Sequence, residues 1–147
     1  MPTLTVGQVA PWPSSITTQD GKPVQLADYA GKNVLVYFYP RDDTPGCTIE
    51  ACNFRDHAAS YPNTVIFGAS VDGAASHQAF KAKFQLPYDL LVDPKKELAT
   101  AFGALPEGAQ TTTRSSVLID PQGKVKALWP KVDAKTHYQE VQRALSG

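Results

Sequence analysis

The stretch 34-VLVYFYPRDDTPGCTIEAC-52 changes character halfway along, and that change decides the fold. Its opening run, 34-VLVYFY-39, is apolar, β-branched or aromatic without alternation, the pattern of a strand covered on both faces. Pro40 ends the run. Beyond the charged loop 41–43, Thr44 reads as a helix N-cap, Pro45 as N1, Gly46 as N2 and Cys47 as N3. A buried strand that turns through a short loop into a helix is the repeating unit of layered α/β proteins.

Working outward, four more runs read as strands: 65-VIFGASV-71, 89-DLLVD-93, 115-SSVLID-120 and 124-KVKALW-129. A Pro121-Gln122-Gly123 turn joins the last two. Helices are predicted over 46–61, 74–84, 95–102 and 134–145, the third with Asp93 as N-cap and Pro94 at N1. Upstream, Ser14–Thr18 and Pro23–Leu26 around Asp20-Gly21 predict a hairpin. Alternating strands and helices imply an α/β sandwich with helices on both sheet faces. Right-handed crossovers put the carboxyl end of 34–39 at the sheet centre, where such folds place their sites.

A chain of 147 residues is expected to form one domain, 1–147. With 14 basic and 14 acidic residues, scattered rather than clustered, it lacks the footprint of a nucleic-acid binder. No apolar run approaches a membrane span, and no basic amphipathic segment suits a membrane surface. The start, MPTLTVGQVAPWPSS, does not read as a secretory signal, so a soluble cytoplasmic protein is expected. In a reducing compartment its two cysteines read as reactive rather than structural.

Both cysteines lie in the quoted stretch. At N3, Cys47 meets the unpaired N–H groups and the positive end of the helix dipole, which stabilise a thiolate. The Thr44 side chain is expected to reach the N3 amide or the sulfur, Gly46 to leave room beside the sulfur, and Pro40 to wall the pocket. Five positions along a helix carry Cys52 about 140° round and ~7.5 Å up from Cys47. A bond between them then requires the first turns to unwind. The spacing suits a cycle in which Cys47 is oxidised to a sulfenic acid and Cys52 condenses with it. The alternative is that both are small buried hydrophobes.

The segment Pro40-Arg41-Asp42-Asp43-Thr44-Pro45-Gly46-Cys47 matches the PxxxTxxC motif of the peroxiredoxins, and PRDDTPGCTIEAC resembles the peroxiredoxin Q, or bacterioferritin comigratory protein, subfamily. The likeness extends through ADYAGKNVLVYFYP, 69-ASVD-72 and 114-RSSVLIDPQGKV-125. It implies a thioredoxin-like fold, a mixed sheet flanked by helices with an N-terminal hairpin. It also implies reduction of hydrogen peroxide and organic hydroperoxides without metal or organic cofactor. Under this resemblance Cys47 is the peroxidatic cysteine, Pro40 and Thr44 shape its pocket, and Arg114 completes the site. Cys52 corresponds to the resolving cysteine, and thioredoxin or glutaredoxin to the reductant. A resolving cysteine on the same chain needs no second subunit, so a monomer is expected. Glu50 reads as a partner for Arg41, Arg55 or Arg114. The loop 103-GALPEGAQTTT-113 is shorter than its counterpart in many members, which carries an aromatic-Gly-Lys pattern.

The remaining signals point elsewhere than chemistry. His57, His77 and His137 have no ligand spacing for a metal. Arg41, Asp42 and Asp43 read as solvated charge, and Tyr37, Phe38, Tyr39, Trp12 and Trp129 as packing. The competing function is a thiol–disulfide oxidoreductase without peroxidase activity, although its usual C-x-x-C places the cysteines three apart and this chain has five. A third is a metal carrier using the cysteine pair.

Overall fold

A computed structural model describes residues 4–146. Six strands form one sheet: β1 (Thr17–Thr18), β2 (Asn33–Phe38), β3 (Thr64–Ser70), β4 (Asp89–Val92), β5 (Ser115–Ile119) and β6 (Val125–Trp129), in the order β1-β4-β3-β2-β5-β6. β2, β3 and β4 run parallel, while β5, β6 and β1 pair antiparallel with their neighbours. The four helices are α1 (Pro45–His57), α2 (Ala74–Phe84), α3 (Glu97–Ala101) and α4 (His137–Ser146). This is the mixed α/β sandwich of thioredoxin-like proteins.

The unalternating run of β2 explains itself by where its side chains go. Val34, Val36 and Phe38 point to one face, where they meet Phe67, Leu91, Val117 and Ile119 with Leu98 of α3 and Ile16 of the hairpin. Leu35, Tyr37 and Tyr39 point to the other, where they meet Cys47, Ala51 and Phe54 of α1, Phe80 of α2 and Val141 of α4. Removing one such aromatic costs about 3–5 kcal/mol. Gly68 on β3 is required by this packing. A Cβ there would stand 2.9 Å from the Tyr37 ring and hydroxyl and 2.8 Å from Leu90.

Element ends depart from expectation in places. The hairpin turn is present, with Thr18 N–H donating to the Lys22 carbonyl (2.8 Å) and Gly21 at φ +80°. Its second arm is a single Thr17–Pro23 bridge with one Val24 N–H to Ile16 carbonyl bond (3.0 Å), because the chain then turns into a 3-10 helix at Leu26–Tyr29; β1 pairs with β4 along its other edge. α1 ends at His57 and tightens into a 3-10 turn, Ala58–Ser60. α3 does not start at Pro94. Lys96 takes a left-handed conformation (φ 57°), which breaks the path into the helix, and Asp93 accepts from the Ala99 N–H at 2.9 Å across the break. α4 starts at His137 because Asp133 closes a tighter turn, accepting from the Lys135 and His137 N–H groups.

Candidate active site

Thr44 has the extended conformation of an N-cap (φ −99°, ψ 156°), and its carbonyl accepts from the Thr48 N–H at 2.8 Å. Cys47 therefore sits in the first turn of α1, at the carboxyl end of the central strand, with 1% of its surface exposed. Arg114 Nη2 donates to Cys47 Sγ at 3.4 Å, and Nη1 donates to Glu50 Oε1 at 3.0 Å. One guanidinium thus joins the sulfur to a carboxyl one turn further on. Antiparallel pairing sets Ser115 opposite Phe38, so the residue before β5 lands beside the 40–47 loop. The 103–113 loop fixes that approach. Thr112 Oγ1 donates to the Tyr39 carbonyl, and the Thr113 N–H to the Ala104 carbonyl at 2.7 Å.

Glu50 is 1% exposed, and its Oε2 has no hydrogen-bond partner. Burial pushes its carboxyl up to about 7, against the pull of the Arg114 guanidinium in the other direction. The group therefore exchanges its proton near neutrality, beside a cation and a sulfur. Of the three arginines open to it from sequence, it is Arg114 that pairs with it. Arg41 forms a loose pair with Asp72 (3.9 Å), and Arg55 bonds Asp56 and the Phe84 carbonyl.

Three local expectations are corrected. The Thr44 hydroxyl neither caps the N3 amide nor bonds the sulfur; it donates to the Arg41 carbonyl at 3.0 Å, which leaves its oxygen free to accept from a bound hydroxyl. The space beside Gly46 is already taken: a Cβ there would lie 3.0 Å from Arg114 Nη2, so the glycine admits the guanidinium. Asp42 is not solvated. Its side chain is 3% exposed and accepts from the Tyr39 hydroxyl, from Ser76 Oγ at 2.8 Å and from His77 Nδ1 at 2.7 Å. His77 in turn bonds the Leu91 carbonyl through Nε2 (2.9 Å). These bonds fasten the loop before Cys47 to α2 and β4, a function that a charged tripeptide does not advertise. Pro40 stands half-buried at the end of the strand run.

Cys52 is half-buried further along α1, and both thiols are free. The intact helix does not bring them together. Just beyond Cys52 the helix is clamped: Asn53 Nδ2 donates to the Ala134 and Lys135 carbonyls (3.3 and 3.4 Å), and His57 stacks on Tyr138 with centroids 4.3 Å apart. His137 is fully buried, pairs with Ser116 Oγ at 2.8 Å and packs on Trp129 and Phe54. None of the three histidines touches Cys47 through a hydrogen bond.

The AhpC/TSA family pattern matches residues 6–128. Peroxiredoxin Bcp of Bacillus subtilis (strain 168) is 40% identical over 97% of this chain and 96% of its own. A solved cysteine-to-serine variant of Xanthomonas campestris peroxiredoxin Q superposes with a TM-score of 0.87 at 30% identity, covering 95% of this chain and 98% of that one. Xylella fastidiosa PrxQ, also solved as a cysteine-to-serine variant, gives 0.87 at 27% identity over 97% and 96%. A thiol at a helix start, an arginine upon it, and these likenesses over nearly the whole length agree: the chain belongs to the AhpC/TSA family of peroxiredoxins, in its Bcp/peroxiredoxin Q branch.

Proposed function

We propose that the chain is a two-cysteine peroxidase that reduces hydrogen peroxide and organic hydroperoxides at Cys47. The observation that carries this reading is the contact of Arg114 Nη2 with Cys47 Sγ, 3.4 Å apart at the start of α1. The Cys47 thiolate attacks one oxygen of the peroxide and the O–O bond breaks. Cys47 becomes a sulfenic acid, and the other oxygen leaves as hydroxide or alkoxide and takes a proton. Negative charge moves from sulfur to the leaving oxygen, and Arg114 is aimed where that charge develops. The Thr44 hydroxyl, with its oxygen free to accept, orients the incoming peroxide. Glu50, titrating at about 7, is the nearby group able to return a proton to the site.

The Cys52 thiol then condenses with the sulfenic acid, forming the S–S bond and releasing water. This requires residues between the cysteines to leave the helix, since about 7 Å is the reach of a disulfide between Cα atoms. A thioredoxin or glutaredoxin dithiol reduces the bond by exchange, and α1 reforms. Resolution within one chain supports a monomer.

Mixing reduced protein with one equivalent of hydrogen peroxide tests the reading. Loss of peroxide and of both thiols within seconds, restored by thioredoxin and abolished by Cys47→Ser, is expected. Consumption at the pace of an ordinary thiol would overturn it.

A further inference from the structure

α1 is held unevenly. Past Cys52 it is tied to the turn before α4 through Asn53, to α4 through the stack of His57 on Tyr138, and to the end of α2 through Arg55 Nη1, 2.9 Å from the Phe84 carbonyl. Ahead of Cys47 the loop is tied down by Asp42. Between these anchors lies the segment that the proposed disulfide must unwind. Two side chains from elsewhere in the fold reach into it. Arg114 holds Cys47 and Glu50, and Tyr88 Oη donates to the Ala51 carbonyl at 2.9 Å.

The Tyr88 bond has a defined direction. Tyr88 Oη stands 2.7 Å from Tyr37 Oη. A carbonyl only accepts, so the single Tyr88 proton goes to Ala51, and Tyr37 donates to Tyr88. Tyr37 comes from β2, Tyr88 from the approach to β4, and Gly68 vacates the space in which the hydroxyls meet. Ala51 and Tyr37 are fully buried and Tyr88 nearly so. Burial raises both phenols above their ordinary range, so both stay O–H donors.

The two tethers respond differently to oxidation. Arg114 donates to the Cys47 sulfur, and turning the attacking thiolate into a neutral sulfenic acid removes the negative partner of the guanidinium and weakens that tether. The bond from Tyr88 to Ala51 does not involve sulfur. It survives oxidation, and it exists only while residue 51 is helical. We infer that Tyr88, steadied by Tyr37, is a positioning residue that latches residues 47–52 in the helical state and sets how readily the oxidised site opens toward Cys52. This deepens the two-cysteine reading of the site and, for its redox consequence, rests on it. While the latch holds, a sulfenic acid at Cys47 stays exposed to a second peroxide, which transfers an oxygen to give sulfinic acid and water. Once the latch opens, Cys52 captures the sulfenic acid and water leaves.

The test is Tyr88→Phe, beside Tyr37→Phe/Tyr88→Phe, which leaves no orphaned hydroxyl. Amide hydrogen exchange of the reduced protein should rise about fivefold over residues 48–52, the worth of one net hydrogen bond, with α2 and α4 unchanged. Under excess peroxide, the yield of sulfinic acid at Cys47 per turnover should fall several-fold in both variants. Unchanged exchange over 48–52, or an equal rise in α4, overturns the latch whether or not Cys52 resolves. Raised exchange with no Cys47–Cys52 disulfide in the parent protein keeps the latch and overturns the reading of Cys52. Raised exchange with unchanged sulfinic acid, in a parent that forms the disulfide, overturns the control of opening by Tyr88.

Discussion

The two faces of the sheet are built from different materials. Under α3 the core is aliphatic and phenylalanine side chains: Val34, Val36, Phe38, Phe67, Leu91, Leu98, Val117 and Ile119. Under α1, α2 and α4 the same strands bury Tyr37, Tyr39 and Cys47, with Glu50, Ser116, His77 and His137 among them. Apolar contacts hold one arrangement with little dependence on pH or oxidation state. The buried polar groups hold theirs only while donors and acceptors stay matched, and an oxidised sulfur or an ionised carboxyl upsets the match. One face is scaffold, and the other carries the proposed chemistry and the proposed unwinding.

Three experiments would break or sharpen that division. Arg114→Ala should lower kcat/KM for peroxide per folded molecule by about 100-fold or more, the usual loss for a group aimed at developing charge, and should also cost stability because the buried Glu50 carboxyl loses its partner. Stopped-flow rates beside a denaturant curve read both; a rate within a few-fold of the parent would remove Arg114 from the chemistry. Phe38→Ala, on the opposite face, should cost about 3–5 kcal/mol of stability while the peroxide rate per folded molecule stays near normal. A collapse of that rate at temperatures where the variant is folded would mean that the faces are not separable.

The smallest effect concerns Glu50. Its folded-state pKa of about 7 lies above the ordinary 4.5, so the folded protein binds the extra proton between those values. Stability from this group is full below about 4.5 and is lost as pH rises through about 7. The Tm of the parent should decline across that window, and Glu50→Gln should flatten the decline. The peroxide rate should carry an inflection near 7, where ionised Glu50 begins to compete with the thiolate for Arg114. An identical profile in Glu50→Gln would assign the inflection elsewhere.

The reactive face was partly legible in the sequence. Thr44 and Cys47 stand in a motif whose spacing serves helix-start chemistry, and the strand run 34–39 fixes where that motif lands; Arg114 is marked only by the family likeness of 114-RSSVLIDPQGKV-125. Sequence could not choose among three arginines for Glu50, because pairing across β2 and β5 makes the choice. Nor could it separate Asp42 from Arg41 and Asp43. All three look alike in a charged loop, and only the docking of α2 buries the middle one. Tyr88 carries no local signal at all: its hydroxyl matters through the glycine on β3 and the tyrosine on β2 that bring it under α1. At α3 a good N-cap pattern lost to the left-handed turn at Lys96.

Thr112 holding the Tyr39 carbonyl has a consequence for how this chain tolerates insertions and deletions. Pro106, Glu107, Gly108 and Gln110 are exposed, so residues added between Pro106 and Gln110 lengthen a surface loop at little thermodynamic cost. From Ser115 the chain is committed to the two-residue repeat of β5. A single residue added between Arg114 and Ser115 would shift the guanidinium off the position from which it reaches Cys47. The length of this loop is therefore free to drift on one side of a single hydroxyl and fixed on the other.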